Sequence, residues 1–295
     1  MSRPWSLSVS LAAALLPLGC RGAADATAPS APPVVLLTDF GLRDDAVGLM
    51  RGVIHAIAPG VPIADLSHEV RRFDVRQGAR RLADAPTVYP AGSVFVVVVD
   101  PGVGTERRAI VARLADGSLV VAPDNGVITL AAERHGPVTV HAATDDSLFL
   151  PTLTSTFHGR DVFAPLGAHL AAGVPLDRVG PRVTDWIRLE EAAATRSDRA
   201  FHGVVEDLDL PFGNVWTNVP GSFAADAGLD VGAVVTVTVG GRRLEVPVAR
   251  TFGEVPVGAP LLYVNSRGRL ALALNQGDFA ATHGVEPDQT VTIEW

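Results

Sequence analysis

The stretch FVVVVDPGVGTERRA, residues 95–109, places a carboxylate and a guanidinium seven residues apart behind a run of apolar residues. Such a run predicts a buried strand, so Asp100 stands where that strand reaches the edge of its sheet. The proline and glycines that follow can turn the chain so that Arg107 returns toward the carboxylate. The pair could then bind a polar reactant and take part in proton transfer, although Asp100 before Pro101 also fits the start of an ordinary turn.

Three other segments put polar residues at predicted strand ends: TDFG at 38–41, PDNG at 123–126 and FHGRD at 157–161. Each has an ordinary structural interpretation. Asp39 and Asp124 fit turns or helix caps. His158 fits a partly buried histidine, and residues 160–161 fit a local ion pair. Because open α/β sheets bind ligands at the carboxyl ends of their strands, the four segments together predict a functional site at that edge.

The chain from Val34 onward alternates predicted strands and helices. Apolar runs predict strands at VVLLTDF, VPIADLS, FVVVVD, AIVARL and SLVVAPD, and apolar spacings of three and four predict helices at DDAVGLMRGVIHAIAP, VRQGARRLADA, DNGVITLAAERHG and GRDVFAPLGAHLAAG. The third of these helices begins with Asp124 as a favourable N-cap. Continuous apolar strands separated by helices indicate a sheet covered on both faces, which is the α/β class.

Beyond about residue 199 the pattern changes to short strands at close spacing, from GVVEDLD at 203–209 to TVTIEW at 290–295, separated by Gly, Asp and Asn. This pattern is typical of a small antiparallel barrel or sandwich. We therefore predict an α/β domain over residues 34–190 and an all-β domain over residues 199–295. The polar segment LEEAAATRSDRA, residues 189–200, forms the boundary between them.

Residues 1–33 have the composition of an export signal and a tether. An early Arg3 precedes an apolar run over residues 7–18, which is too short to span a bilayer. The run ends at Gly19-Cys20, which resembles a bacterial lipobox and predicts lipidation of Cys20, with the protein periplasmic or anchored to a membrane; Pro17 departs from that motif. Two alternatives are an ordinary signal cleaved within residues 21–33, and a misassigned start codon before a cytoplasmic protein.

Composition and missing motifs exclude several classes of partner and chemistry. The formal net charge is −8 and no basic block could follow a phosphate backbone, so we predict no nucleic-acid partner. No GxGxxG follows the first strand, and GxxxxGK[ST], GxSxG and HExxH are absent, so dinucleotide, P-loop, hydrolase-elbow and zincin chemistry lack their required residues. Asp44, Asp45 and Asp100 are scattered carboxylates and do not predict a metal site.

Seven segments occur in an order that resembles a known family: TDFGLRDDAVG, SHEVRRFDV, VVVDPGVGTERRAI, PDNG, STFHGRDVFAP, DLPFGNVWTN and NSRGRLALALN. They look like the S-adenosyl-L-methionine (SAM) hydrolases that form adenosine, also called SAM hydroxide adenosyltransferases, which are related to the SAM-dependent fluorinase and chlorinase. The resemblance extends over residues 34–295. It implies a Rossmann-like α/β domain, a C-terminal antiparallel β-barrel domain, and a homotrimer with each active site between two subunits.

The resemblance also implies the catalytic residues. The family's Asp-Arg-His set corresponds to Asp100, Arg107 and His158, whereas the halogenases carry other residues at the aspartate and histidine positions. The chain also lacks the long insertion that the fluorinases share before PDNG. Water is therefore the expected nucleophile, and the expected reaction is hydrolysis of SAM to adenosine and methionine. SAM is then the substrate, and no cofactor is expected.

Seven further positions match substrate-binding residues of the family: Asp39, Asp209, Phe212, Asn214, Ser266, Arg267 and Asn275. The resemblance implies that Asp39 accepts hydrogen bonds from both ribose hydroxyls, for which a carboxylate has enough lone pairs. It assigns Asp209 to the methionine ammonium and Asn214 to adenine. It assigns Ser266 and Arg267 to the methionine carboxylate. Without the resemblance, Asp209 and Asn214 would be interpreted as flanking a hairpin turn.

The resemblance places the remaining two positions on the adenine side: it implies that Phe212 packs beside the base and that Asn275 lies in the following adenine-side segment. One position departs from the family, because Ala46 stands where relatives have a side chain near the methionine end. Two other functions stay open at this point. One is a SAM-dependent halogenase, and the other is an exported protein that binds SAM or a nucleoside without catalysis.

Overall fold

A computed structural model of the chain describes residues 31–295. The predictions for the export signal and for lipidation of Cys20 lie outside these residues. Within them, residues 32–295 form one compact unit. No helix of this part of the chain is long and apolar enough to cross a bilayer.

The first sheet contains seven strands: β1 (Val34–Thr38), β2 (Ile63–Ser67), β3 (Val94–Val98), β4 (Ala109–Arg113), β5 (Leu119–Pro123), β6 (Thr139–Ala142) and β7 (Arg182–Val183). Their order is β2-β1-β3-β5-β4-β6-β7. The first three neighbouring pairs are parallel, and the pairs that involve β4, β6 or β7 are antiparallel. The short connection between β4 and β5 explains this mixed sheet, because parallel strands need a longer crossover.

Helices cover both faces of this sheet: α1 (Ala46–Ile57), α2 (Val75–Asp84), α3 (Thr129–Arg134) and α4 (Ala164–Ala171). Side chains of successive strand residues point to opposite faces. Val34 and Leu36 therefore pack on the side of α1 and α4, while Val35 and Leu37 pack with residues of α2 and α3. Because both faces of the central strands β1, β3, β4 and β5 are apolar and buried, their polar side chains lie only at strand ends, where a site can form.

The second sheet follows from residue 195 onward: β8 (Thr195–Arg196), β9 (Ala200–Asp209), β10 (Asn214–Pro220), β11 (Val234–Val239), β12 (Arg242–Pro247), β13 (Pro260–Val264), β14 (Arg269–Leu274) and β15 (Thr290–Glu294). Its order is β12-β11-β15-β9-β10-β14-β13, with β8 on β9. A bridge between Val248 and Leu262 brings the two edges together into a nearly closed barrel. Two short helices accompany it, α5 (Gly221–Asp226) and α6 (Phe279–His283). The predicted α/β and antiparallel β-barrel fold classes are confirmed.

Two local predictions around PDNG and FHGRD were wrong. The helix predicted to start at Asp124 begins at Thr129, with Ile128 at its N-cap and no side-chain cap. Asp124 is buried, pairs with Arg108 at 2.6 Å and accepts a 2.8 Å hydrogen bond from the amide of Ile187. His158 does not follow a strand directly; it precedes a π-helical turn over Gly159–Phe163 that leads into α4.

Hydrogen bonds from α2 join the first sheet's layer to β9. The side-chain amide of Gln77 donates to Oδ1 of Asp207 at 2.5 Å, and both side chains are buried. Arg80 donates to the backbone carbonyl of Glu206 and to Oε2 of Glu191. These contacts hold the helix that follows the SHEV segment against the barrel.

Candidate active site

Asp100 and Arg107 form a forked ion pair at the edge of the first sheet. Nε of Arg107 lies 3.1 Å from Oδ1 and 2.9 Å from Oδ2 of Asp100, and Nη2 lies 2.5 Å from Oδ2. The Asp100 side chain is 5% exposed and that of Arg107 is 11% exposed. Such a forked geometry fixes the orientation of both groups. The arginine thus returns to the carboxylate, as the turn at residues 101–104 predicted.

The turn between them is built from local hydrogen bonds. The amide of Val103 donates to the carbonyl of Asp100 at 3.3 Å, and the hydroxyl of Thr105 donates to the carbonyl of Gly102 at 2.7 Å. Gly104 has a φ of +78°, and a Cβ at this position would clash with the carbonyl oxygen of Ser155. Only glycine fits there, so the DPGVG turn packs closely against the segment that carries His158.

His158 contacts the same Nη2 of Arg107 that binds Asp100. Its Nδ1 is 2.7 Å from Nη2 of Arg107. Because a guanidinium can only donate, Nδ1 must accept, and a neutral His158 therefore carries its proton on Nε2. Burial lowers the pKa of His158, and the charge of Arg107 lowers it further. The ring of Phe163 lies 5.0 Å from the Arg107 guanidinium carbon and completes its surroundings.

Asp161 holds the turn on which His158 stands. Its fully buried carboxylate accepts hydrogen bonds from the amide and the hydroxyl of Thr154, at 2.8 and 2.7 Å. Nε of Arg160 donates to its other oxygen at 2.6 Å. Residues 160–161 therefore form the local ion pair that was one interpretation of the sequence, and the pair fixes the entry to α4 rather than reaching the catalytic candidates.

Asp39 follows β1 and faces the same region. Its Oδ2 accepts a 2.8 Å hydrogen bond from the amide of Phe73, which has a φ of +67°. Non-glycine residues rarely adopt this conformation, and they do so most often at functional sites. Burial raises the pKa of Asp39, and the nearby Asp100 raises it further, although the amide of Phe73 acts in the opposite direction. The pKa of Asp39 is therefore higher than that of an ordinary aspartate.

A cavity of about 580 Å³ joins these side chains. It is lined by Asp39, Ala46, Phe73, Asp100, Phe157 and His158, among others. This volume is within the range of small-molecule sites. Among residues 31–295, no group of three or more His, Cys, Asp or Glu side chains is arranged to hold a metal ion.

Comparison with known proteins identifies the family of this site. Residues 34–180 match the family model of the SAM hydroxide adenosyltransferase N-terminal domain, and residues 203–292 match that of the C-terminal domain.

The chain belongs to the SAM hydroxide adenosyltransferase family.

Its relatives within this family include two named activities. The chain is 39% identical over 269 residues to an (R)-S-adenosyl-L-methionine hydrolase of Thermus thermophilus, in an alignment that covers 88% of this chain and 99% of the relative. It is 32% identical over 289 residues to a fluorinase of an Actinoplanes species, covering 89% and 97%. A crystal structure of an uncharacterised conserved protein from Thermotoga maritima matches with a TM-score of 0.85 at 38% identity, covering 89% of this chain and 100% of that one.

The family positions on the barrel lie around a second cavity. Asp209 and Asn214 flank the turn between β9 and β10, and the side-chain amide of Asn214 donates to Oδ2 of Asp209 at 2.8 Å. The cavity, of about 750 Å³, is also lined by Phe212 and Asn275. Phe212 is 65% exposed, whereas Asn275 donates to the carbonyl of Val255 at 2.8 Å. Neither Asp100 nor His158 borders this cavity.

Ser266 and Arg267 lie at a third depression, which Asp209 also borders. Nε of Arg267 is 2.6 Å from Oδ2 of Asp84 in α2. Its guanidinium carbon lies 4.7 Å from the centre of the Trp216 ring. Within one chain, then, Asp39, Asp100 and His158 line one cavity, and Arg107 binds the latter two. The six barrel positions border other depressions.

Sequence reasoning missed the contacts that three residues make beside Asp39. Phe73 supplies the amide that binds its carboxylate, and no sequence signal marks a positive φ at a phenylalanine. Thr38 and His68 meet behind it, with the hydroxyl oxygen 2.8 Å from Nδ1. The sequence could have indicated that Thr38 and His68 lie near the site, because each is a polar residue at the carboxyl end of a parallel strand.

Proposed function

We propose that this protein hydrolyses SAM to adenosine and L-methionine by attack of an activated water on the C5′ carbon of the ribose. The observation that carries the proposal is the position of Arg107 between a buried carboxylate and a histidine nitrogen that must accept its hydrogen bond. Family membership supports SAM as the substrate. The hydrolase relatives support water as the nucleophile.

The attacking water would bind beside Arg107. Nη1 of Arg107 makes no hydrogen bond to any residue between 31 and 295, and the two residues that Arg107 binds, Asp100 and His158, both line the cavity. Among the same residues, Oδ1 of Asp100 accepts one hydrogen bond, at 3.1 Å, and keeps a lone pair for a proton of that water. Nδ1 of His158 accepts from the same Nη2 that binds Asp100 and so orients the guanidinium. The three groups together would orient the water and stabilise its hydroxide character.

The reaction needs no general acid to protonate the leaving group. The water oxygen forms a bond to C5′ while the C5′–S bond breaks. The electron pair of the C5′–S bond goes to sulfur, so the sulfonium becomes the neutral thioether of methionine. The water gives up a proton, which passes to solvent. Hydrolysis therefore releases one proton for each SAM consumed, and no cofactor is required.

The complete substrate site is proposed to combine two subunits of a homotrimer. Asp39 would bind the ribose hydroxyls in the cavity of one subunit. Asp209, Phe212, Asn214 and Asn275, with Ser266 and Arg267, would bind adenine and methionine from a neighbouring barrel. The arrangement within one chain supports this, since these residues line cavities that Asp100 and His158 do not border.

We further propose export of the protein and its anchoring through a lipid on Cys20, which rests on the sequence of residues 1–20. A Cys20→Ser variant tests this proposal. It should no longer fractionate with membranes, whereas unchanged fractionation would contradict lipidation.

Product analysis tests the reaction. Purified protein is incubated with SAM in the presence and absence of chloride, products are identified by mass spectrometry, and acid release is followed by titration at constant pH. Adenosine, methionine and one proton per SAM are expected. A 5′-chloroadenosine product without acid release would indicate a halogenase, because halide carries no proton to lose. Unchanged SAM with measurable binding would indicate a protein that binds without catalysis.

A further inference from the structure

Thr38, which precedes Asp39 in the chain, forms a buried side-chain contact with His68. Thr38 is the last residue of β1, and His68 follows the last residue of the neighbouring strand β2. Their side chains meet with Oγ1 2.8 Å from Nδ1. Thr38 is fully buried and His68 is 3% exposed, so neither side chain can exchange this partner for solvent. Neither of them lines the cavity that contains Asp39 and Asp100.

The charge near His68 favours one arrangement of the hydrogen atoms in this contact. Nε2 of His68 lies 3.1 Å from Oδ1 of Asp65, outside hydrogen-bonding alignment but close to a negative charge, which favours a proton on Nε2. Nδ1 then accepts from the hydroxyl of Thr38, whose oxygen also accepts a 3.2 Å hydrogen bond from the amide of Phe40. Burial lowers the pKa of His68, which agrees with a neutral ring.

Backbone hydrogen bonds strengthen the same connection. The amide of Gly41 donates to the carbonyl of His68 at 2.7 Å, and the amide of Val70 donates to the carbonyl of Thr38 at 3.3 Å. His68 therefore binds the chain on both sides of Asp39: its ring contacts Thr38, and its carbonyl accepts from the amide of Gly41. The Asp39 carboxylate is itself bound, through Oδ2, by the amide of Phe73.

We propose that Thr38 and His68 are positioning residues that hold Asp39 in the orientation in which its carboxylate accepts both ribose hydroxyls. They do not touch the substrate; they act through the backbone of residues 38–41. The proposal rests on the proposed function only in taking Asp39 as the residue that binds ribose. Asp65, which also pairs with Arg51 of α1, places a negative charge beside Nε2 of the histidine.

Substitutions of equal size separate this role from simple packing. Thr38→Val removes the hydroxyl and keeps the shape, while Thr38→Ser keeps the hydroxyl. His68→Leu removes the acceptor nitrogen, and His68→Asn can place an amide oxygen near the position of Nδ1. Thr129→Val is the matched control, because Thr129 is also buried and does not border the cavity. Its hydroxyl donates to the carbonyl of Gly126 at 2.7 Å and, like that of Thr38, accepts from a backbone amide, that of Leu189 at 2.9 Å.

The experiment measures binding of adenosine and of 2′-deoxyadenosine to each purified variant by titration calorimetry. The wild type should bind adenosine more tightly than the deoxynucleoside. Loss of one hydrogen bond should weaken adenosine binding by about threefold to tenfold in Thr38→Val and His68→Leu. The same variants should bind 2′-deoxyadenosine nearly as the wild type does. Thr38→Ser and His68→Asn should recover most of the preference, and Thr129→Val should keep all of it.

The outcomes distinguish this proposal from the proposed function. If Thr38→Val and His68→Leu keep the full preference for adenosine, the positioning role is wrong even when the wild type hydrolyses SAM. If the wild type forms no adenosine from SAM but prefers adenosine, and the two variants lose that preference, the positioning role stands and the proposed reaction fails. A wild type that binds both nucleosides equally would overturn the positioning role, because Asp39 would then not recognise the ribose hydroxyls. Equal weakening toward both nucleosides would indicate a general packing defect and would also overturn it.

Discussion

Nη2 of Arg107 donates to Nδ1 of His158 across 2.7 Å, which fixes the protonation state of the histidine. A protonated imidazole has no lone pair for this hydrogen bond and would repel the guanidinium. Burial and the charge of Arg107 both lower the pKa of His158, in agreement with a neutral ring. In this arrangement His158 does not remove a proton through Nδ1; it orients the guanidinium that binds the attacking water.

The first prediction is that kcat falls at acidic pH as His158 becomes protonated. Because the pKa of His158 is lowered, the fall should begin below the ordinary value of about 6.5, and the rate should not depend on this group at neutral pH and above. The measurement is a kcat profile under SAM saturation. A His158→Asn variant, which can accept through an amide oxygen, should turn over more slowly but lose this acidic decline. The same decline in that variant would assign the titration to another group.

Removal of either partner should slow the chemical step far more than it weakens substrate binding. His158→Ala and Arg107→Ala are expected to lower kcat by about 100-fold to 10,000-fold, the usual contribution of a positioned proton-transfer network, with KM for SAM nearly unchanged. Arg107→Lys should also be slow, because an ammonium cannot make the forked contact with Asp100. Steady-state kinetics measure both parameters.

Arg178→Ala is the control for these variants, since it removes the same charge from an exposed ion pair with Asp145, a pair that lies outside the cavity. Its rate should equal that of the wild type. Wild-type turnover in Arg107→Ala or His158→Ala would contradict the proposed roles.

Binding of adenosine should weaken at acidic pH through Asp39. Its pKa is raised by burial and by Asp100, so the carboxylate becomes protonated at a higher pH than an ordinary aspartate. A protonated Asp39 can no longer accept from both ribose hydroxyls, and affinity should therefore be constant above the raised pKa and fall below it. Titration calorimetry over a pH series measures this. Asp39→Asn should bind more weakly with no such dependence, and an unchanged pH dependence in that variant would show that another group is responsible.

The sequence predicted site residues correctly in those cases in which a physical rule connects a local sequence pattern with a position in the fold. Apolar strands ending in polar residues predicted where Asp39 and Asp100 lie, because strand ends meet at one sheet edge. The antiparallel direction of β4 was not predicted, since an apolar run has the same appearance in either direction. The pairing of Thr38 with His68 was also missed, because it joins residues 30 apart and depends on the register of β1 and β2.

Gly104 should be required for catalysis as well as for stability. An alanine there would adopt a φ of +78° and drive its Cβ into the carbonyl oxygen of Ser155. We expect Gly104→Ala to destabilise the fold by more than the approximately 1–2 kcal/mol of a left-handed residue. A shift of the turn by about 1 Å relative to His158 would lower kcat by roughly 100-fold. Urea unfolding and steady-state kinetics give the two values.

Gly117→Ala provides the comparison, because Gly117 has a φ of +86° and a Cβ added there would meet no atom within 4 Å. This variant carries the same conformational cost of about 1–2 kcal/mol without a clash. Its kcat should equal that of the wild type. Equal kcat in the two variants would show that the contact with Ser155 does not position the site.

Arg80 should contribute more to folding than its neighbour Arg76, although both bind Glu191. The Arg80 side chain is 6% exposed, and it also donates to the carbonyl of Glu206 in β9. Burial lowers the pKa of Arg80, but the hydrogen bond to Glu191 and the charges of Glu191, Glu206 and Asp288 together outweigh this effect, so the pKa is raised overall. Arg80→Met leaves the carbonyl of Glu206 and Oε2 of Glu191 without the donor that Arg80 supplies, which should cost about 1–3 kcal/mol. Arg76 is 44% exposed, so Arg76→Ala should cost only about 0–1 kcal/mol. Urea unfolding of both variants measures the difference, and equal losses would mean that Glu191 alone, rather than the contact of Arg80 with β9, holds α2 against the barrel.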